Sequence, residues 1–405
     1  MSSHKLRIAV LISALLLLAA CGRSVAARHS ATPPPSPTPA PTAPPAPTIP
    51  PAPTIAVIQS GGQPVWGKAA SWSHANLPAG FGMLFHDSDV QVAASDGKTA
   101  YACAVPGSQT QPGHPRVVVT HNGGVSWAYV SNIPVIWGGC AQLVVDMLNP
   151  SIVVAQGDFL GPQEVTFDGG QTWQSLTQPS GQAILRLATR GDHSYAFLEE
   201  PENGGSSATV ILAESSDHLR TWHEIDGNLA AMNLRWFWIN PGTGALMLRT
   251  FDSGLWTSTN DGGSWQPMAI PTVTIVDYMV QRPIANQPWR LCAEYYASQN
   301  DSTDTLICTR DGGQTWFQPP AVAFWQMAGI AEDGALLVYD QGYMVYRLPV
   351  GDTRWQKLGA APQAGCCITY VGMSTGGILW KFPAESDGAG TPDKPNDIYR
   401  AAYPY

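Results

Sequence analysis

Charge is scarce in this sequence. Only 13% of its 405 residues are Asp, Glu, Lys or Arg, and 21 basic against 30 acidic side chains leave a formal net charge of −9. Lysine is rare, so there is no electrostatic footprint for a phosphate backbone and nucleic acid is not an expected partner. Metal-ligand spacings are missing too. There is no C-x-x-C pair and no H-E-x-x-H, which leaves zinc, thioredoxin-like chemistry and any other metal or cofactor without support. The N-terminal apolar run, residues 8–20, has 13 residues, too few to span a bilayer as a helix. Little Lys or Glu combined with 40 Gly and 15 Trp argues for strands and turns over helices.

What is present begins with a processing signal. His4, Lys5 and Arg7 form a basic region ahead of the apolar run, which ends in Leu18-Ala19-Ala20-Cys21-Gly22. This resembles the bacterial lipobox. The resemblance implies a signal peptide over residues 1–20, removed on export, and a Cys21 thiol that takes the diacylglyceryl group. A plain secretory signal with an incidental cysteine is the blander reading. Two acyl chains anchor stably where one does not, so the expected location is the extracytoplasmic face of a bacterial cell membrane, with membrane contact through the anchor only. Gly22 is not the aspartate that commonly retains lipoproteins in a Gram-negative inner membrane. Residues 21–57 read as a linker. Between Ala31 and Thr54, 12 of 24 residues are proline, a composition that makes no core and forms an extended spacer of about 75 Å at about 3.1 Å per residue.

Residues 58–405 carry an internal repeat. Thr120-His-Asn122-Gly-Gly124-Val-Ser126-Trp127, Thr166-Phe-Asp168-Gly-Gly170-Gln-Thr172-Trp173 and Thr309-Arg-Asp311-Gly-Gly313-Gln-Thr315-Trp316 share one pattern. Ser258-Thr-Asn260-Asp-Gly262-Gly-Ser264-Trp265 fits it, and Ser215-Ser-Asp217-His-Leu219-Arg-Thr221-Trp222 fits except for leucine at a glycine position. Gly351-Asp352-Thr353-Arg354-Trp355 is a decayed copy. The tryptophans lie 46, 49, 43, 51 and 39 residues apart, the length of a four-stranded propeller blade. These segments are similar to the Asp boxes of bacterial neuraminidase-type repeats. In that motif the Asp or Asn accepts backbone N–H bonds inside its own turn, Gly permits positive φ, and Trp packs between sheets. Asn122, Asp168, Asp217, Asn260 and Asp311 are therefore expected to be structural.

The fold expected is an all-β, seven-bladed β-propeller, with six blades as the alternative. Blade 1 reads as residues 90–95, 100–105, 116–120 and 126–133, and blade 4 as 236–240, 245–250, 254–259 and 264–270. After the last box, residues 367–372, 378–382 and 397–401 supply three strands. Residues 65–72 resemble the strand that follows a box and are expected to complete that last blade, closing the ring and removing two sheet edges.

With Cys21 acylated, six cysteines remain in an exported chain, and they allow 15 connectivities. Cys292 and Cys308 fall on the second and third strands of blade 5 and are placed to face each other. Cys103 and Cys140 are candidates to staple blades 1 and 2. Cys366 and Cys367 either form a vicinal disulfide, stay reduced, or pair elsewhere.

Propellers usually bind ligands at the central mouth, where each fourth strand links to the next blade. Those links offer Trp137, Arg186, Arg235, Trp236, Tyr278, Trp325 and Gln326, with Phe85, His86 and Asp277 beside them. Aromatics interspersed with arginine suit a glycan or an acidic segment of a partner protein. Some of these rings are alternatively plain packing between blades. His86-Asp87-Ser88-Asp89 reads as a solvated turn, with a cation site as the alternative.

Sialidases share the boxes, so a glycosidase is the rival reading. That family uses three arginines, a Tyr–Glu nucleophile pair and an Asp acid/base, with an Arg-Ile-Pro signature before the first box. Nothing in residues 55–119 matches the signature, Arg116 lies on a box strand, and Arg282-Pro283-Ile284 has the wrong order and place. Glu294 and Tyr295 are adjacent and point to opposite faces of a strand, so no retaining pair assembles. The chain also resembles photosystem II stability/assembly factors, which are box-bearing propellers, often lipoproteins, with an arginine patch for a partner protein. Sorting-receptor luminal propellers are similar but far longer. The function expected is non-catalytic binding or scaffolding by a monomer. Such analogies carry fold more than function.

Overall fold

Every strand among the described residues belongs to one of seven separate sheets, and there is no helix among them. The structure is a computed structural model. It describes residues 50–403 apart from 77, 79–80, 84–89, 93–95, 109–110, 113–115, 131–139, 158–162, 180–181, 200–209, 226–228, 230–231, 252–253, 272–273, 282–287, 297–303, 325, 363–368, 375–377 and 384–398. The sheets are the blades of a seven-bladed β-propeller. Blade 3 runs Ala183–Arg190, His193–Glu199, Val210–Ser215 and His223–Glu224, and blade 4 runs Leu234–Ile239, Leu246–Thr250, Leu255–Ser258 and Gln266–Pro267. The innermost strands of neighbouring blades lie side by side around the axis, as Ala183–Arg190 does with Leu234–Ile239.

The core is divided accordingly into clusters between blades. Between blades 3 and 4, Phe197, Leu212, Phe237, Leu248 and Trp265 pack together, with the rings of Phe197 and Phe237 edge-to-face at 4.8 Å. Box tryptophans also tie sheets together by hydrogen bonds. The indole N–H of Trp222 donates to the Thr177 carbonyl of blade 2, that of Trp316 to Ala269 of blade 4, and that of Trp355 to Pro320 of blade 5.

The five boxes share one hydrogen-bond pattern. In the second, the Thr166 hydroxyl donates to Asp168 Oδ1 at 2.8 Å and accepts the Gly170 N–H at 2.8 Å. Asp168 Oδ1 accepts the Thr172 N–H at 2.9 Å, and Oδ2 accepts the Thr172 hydroxyl at 2.6 Å. Asp217 and Asp311 repeat this with Thr221 and Thr315. Where the box carries asparagine the polarity reverses: Asn122 Nδ2 donates to the Ser126 hydroxyl, and Asn260 Nδ2 to that of Ser264. The third box, lacking its glycine, keeps the turn by holding Leu219 at φ 66°, a conformation that non-glycine residues adopt at a cost. Leu219 is buried in the apolar cluster that also holds Leu176 of blade 2.

Ring closure uses both termini, as expected, but only the end of the expected segment, Trp72, takes part, and the closing strand runs on beyond it. Trp72–His74 is the outer strand of blade 7, antiparallel to Tyr399–Ala402, beside Ile378–Pro383 and Thr369–Ser374. The His74 and Tyr399 rings lie 4.0 Å apart across this seam. Val65–Trp66, read from sequence as part of the closing strand, instead pairs in parallel with Gln356–Lys357 on the outer edge of blade 6. Ile55–Val57 does the same against Trp316–Gln318 of blade 5. Asn76 bridges to Ser126 of blade 1, its N–H on the Val125 carbonyl at 3.1 Å. One strap, residues 55–76, thus pairs with the outer strands of blades 5 and 6, supplies the outer strand of blade 7 itself, and bridges to the box turn of blade 1. Exposed edge N–H and C=O groups drive this pairing, because an outer strand without a neighbour leaves half its ladder unmade.

Cys292 and Cys308 lie directly opposite on the second and third strands of blade 5, with Cα atoms 4.0 Å apart, and form a disulfide. Cys103 and Cys140 lie in the strands Ala100–Ser108 and Cys140–Val145 of blades 1 and 2. Cys21, Cys366 and Cys367 lie outside the described residues.

Candidate functional site at the mouth of blades 3 and 4

The innermost strands of blades 2 to 6 share an irregularity near their first residues. The register shifts between Cys140 and Gln142, Ile184 and Arg186, Leu234 and Trp236, Ile275 and Asp277, and Met327 and Gly329. A β-bulge places two residues opposite one, which breaks the strict alternation of faces. In blades 3 and 4 the consequence is visible in exposure. Leu185 and Arg186 both reach the surface between buried Ile184 and Leu187, and Arg235 and Trp236 do so between buried Leu234 and Phe237.

These side chains meet. The Arg186 guanidinium carbon lies 3.2 Å from the centroid of the Trp236 ring, a cation–π stack across the blade boundary. Trp236 is in turn 6.2 Å from Trp238, tilted by 38°. Arg235 lies over Phe251 at 5.6 Å, and Phe251 is 62% exposed where the second strand of blade 4 ends. Burial, and then the neighbouring charge of Arg235, pull the Arg186 guanidinium down to about 10, so it stays protonated at neutral pH. Among the described residues no carboxylate pairs with either arginine. Two like charges share an apolar surface with no counter-ion among the described residues. Chemically, this arrangement can stack a planar or apolar group and neutralise an anionic one.

The structure therefore brings together Arg186, Arg235 and Trp236 of the residues chosen from sequence. Gln326 sits at the start of the inner strand of blade 6, where its Oε1 accepts the Tyr339 hydroxyl. Tyr278 occupies the inner strand of blade 5 opposite Ala293. Trp137, Trp325, Phe85 and His86 lie outside the described residues. Leu185 and Phe251 belong to the same surface and were not legible as such. Leu185 is the extra residue of a bulge, and Phe251 lies on a hairpin, not on a link between blades. Glu294 and Tyr295 do part company as alternation requires: Glu294 accepts the Met327 N–H of blade 6, while Tyr295 is buried between blades 4 and 5. No group of three or more metal-ligating side chains occurs among the described residues.

No protein-family model matches the sequence, and no curated protein matches it. Solved structures do. A structure of YCF48 bound to D1 peptide aligns with TM-score 0.51 and 13% identity over 85% of this chain and 100% of that one. YCF48 from Cyanidioschyzon merolae aligns with TM-score 0.51 and 10% identity over 82% and 99%. An oligogalacturonate lyase from Vibrio parahaemolyticus aligns with TM-score 0.55 and 9% identity over 83% and 97%. At such identities the likeness is one of architecture: this chain is a seven-bladed β-propeller similar in fold to both a peptide-bound protein and a lyase.

Proposed function

We propose that this protein is a non-catalytic binding propeller whose mouth at blades 3 and 4 receives an anionic segment of a partner protein. The observation that carries this reading is the stack of Arg186 on Trp236 beside Arg235, with no carboxylate among the described residues paired to either guanidinium. A half-buried Arg186 beside an exposed Arg235 gains from a carboxylate, while Trp236, Phe251 and Leu185 supply apolar area for the flanking residues. Support of a weaker kind comes from the peptide bound to YCF48, a protein of the same fold. We further propose that the chain is exported and lipid-anchored through Cys21, acts as a monomer, and presents the propeller on the proline-rich spacer.

A glycan stacked on Trp236 is the alternative ligand, and a sialidase-like reaction the alternative activity. One preparation separates them: residues 22–405 screened against acidic, neutral and basic peptide arrays, a glycan array and a fluorogenic sialoside. Selective retention of acidic peptides supports the proposal. Retention of glycans alone makes the site lectin-like, and turnover of the sialoside overturns the non-catalytic reading.

A further inference from the structure

Exposed large apolar side chains collect at a second place, away from the mouth. The strap carries Val57, Val65 and Trp66, which are 56%, 39% and 69% exposed. Their backbone has little freedom to turn inward. Ile58 N–H is held by the Gln318 carbonyl at 3.0 Å, Val65 N–H by Trp355 at 3.0 Å, and Gly67 N–H by Lys357 at 3.0 Å. The pairing that fixes the strap on the outer edges of blades 5 and 6 thus fixes these side chains on the perimeter of the ring.

Cations gather on the same rim in a protein that is acidic as a whole. Lys357, opposite Trp66 in the ladder, sets its ammonium 5.7 Å from the centroid of the Trp66 ring. Lys68 is exposed two residues further along the strap, and Arg354 is exposed in the turn whose Thr353 carbonyl takes the Gly61 N–H at 2.8 Å. Asp352 stands in that turn, with its Oδ1 occupied by the N–H groups of Thr353 and Arg354. Tryptophan beside lysine on a surface of exposed valines is the chemistry of a membrane interface, where the ring lies at headgroup depth and the cations meet anionic lipid.

We propose that the outer rim of blades 5 and 6, formed by Val57, Val65, Trp66, Lys68, Arg354 and Lys357, docks on an anionic bilayer surface. The inference rests on the lipid anchor proposed above in one respect. The rim lies immediately downstream of the spacer, and a tether of about 75 Å keeps it at high effective concentration over the bilayer. A contact too weak to recruit a free protein then suffices to orient a tethered one, and it turns the ring edge-on to the membrane.

The test uses residues 22–405, which lack both the apolar signal and the acylated cysteine, in co-sedimentation with phosphatidylcholine vesicles and with mixed phosphatidylcholine–phosphatidylglycerol vesicles. The rim predicts binding to the mixed vesicles that weakens with salt and falls on pure phosphatidylcholine. Substituting Lys68→Gln, Arg354→Gln and Lys357→Gln together should cost about fivefold per cation. Trp66→Ala should weaken binding further, whereas Phe167→Ala, an exposed aromatic on blade 2, should not. Each variant keeps its fold by circular dichroism, because none of these side chains is buried. Failure to sediment with either vesicle, or equal sedimentation of wild type and rim variants, overturns the proposal. Acylation of Cys21 is read separately from the mass of the protein recovered from a producing bacterium, so loss of the anchor and loss of the rim give different results.

Discussion

Arg186 of blade 3 stacks on Trp236 of blade 4 with 3.2 Å between guanidinium carbon and ring centroid, joining two innermost strands at their exposed ends. Trp236 is 37% exposed, while Trp265, the box tryptophan of the same blade, is 1% exposed. Those two environments give opposite expectations for the same substitution. Trp265→Ala should destabilise by roughly 3–5 kcal/mol, because it empties a packed site between blades. Trp236→Ala should shift stability by about 1 kcal/mol or less, since it forfeits one exposed stack. Chemical denaturation of both variants measures the difference. Equal losses would make Trp236 a core residue.

The box aspartates predict an acid limb to stability. Hydrogen bonds from the Thr172 hydroxyl and N–H hold the Asp168 carboxyl down at about 2, and Thr221 depresses Asp217 in the same way. A carboxyl whose folded value lies below its unfolded value stabilises the fold above the unfolded value, near 3.8, and that contribution fades as pH falls toward 2. Asp168→Asn should remove the share of this pH dependence that Asp168 contributes, leaving that of Asp217 and Asp311, while keeping the turn, as Asn122 and Asn260 do in their boxes. Asp168→Ala should lower the melting temperature at every pH. Melts of the three proteins between neutral pH and pH about 2 check both points, and an alanine variant as stable as asparagine would refute the turn account.

Leu219 inverts a familiar order of substitutions. Alanine at this position loses the buried side chain, about 2–4 kcal/mol, and keeps the positive φ of 66°. Glycine loses the same side chain but relieves the backbone by roughly 1 kcal/mol. Leu219→Gly should therefore be the more stable of the two by about 1 kcal/mol, measured by urea midpoints. Alanine above glycine would show that the turn is unstrained.

The strap divides into edge cover and ring closure. A chain starting at residue 72 loses the pairing on blades 5 and 6 but keeps Trp72–His74 in blade 7. It should stay monomeric by gel filtration, with a lowered melting temperature. A chain starting at residue 77 leaves Tyr399–Ala402 as a bare edge, and it should aggregate. Identical behaviour of the two truncations would mean that closure does not depend on the N-terminal strand.

Seven blades were legible because each box puts Trp at a fixed place in a unit of nearly constant length, and the second and third strands of blade 5 could be aligned well enough to pair Cys292 with Cys308. The strap was not, for a physical reason. Parallel addition to an outer edge is held by backbone groups over two or three residues, so Ile55–Val57 and Val65–Trp66 need no pattern of their own. Trp72 was assigned to the closing strand and Val65 with it, since both lie in a stretch that resembles the strand after a box. At the mouth, Arg186, Arg235 and Trp236 were found from their position on links between blades. Their common exposure was not foreseeable, because it depends on bulges that shift the register by one residue, and Gln326 gave no sign of its Tyr339 partner on the next strand.

The most direct test of the account is the affinity of an acidic peptide from the array screen, followed by fluorescence anisotropy, for wild type, Arg186→Gln, Arg235→Gln and the double variant. Each charged hydrogen-bond donor lost should cost about tenfold or more, the losses should shrink as salt is raised, and all variants should melt near wild type. Unchanged affinity in the double variant would contradict the claim that this mouth is where the protein binds.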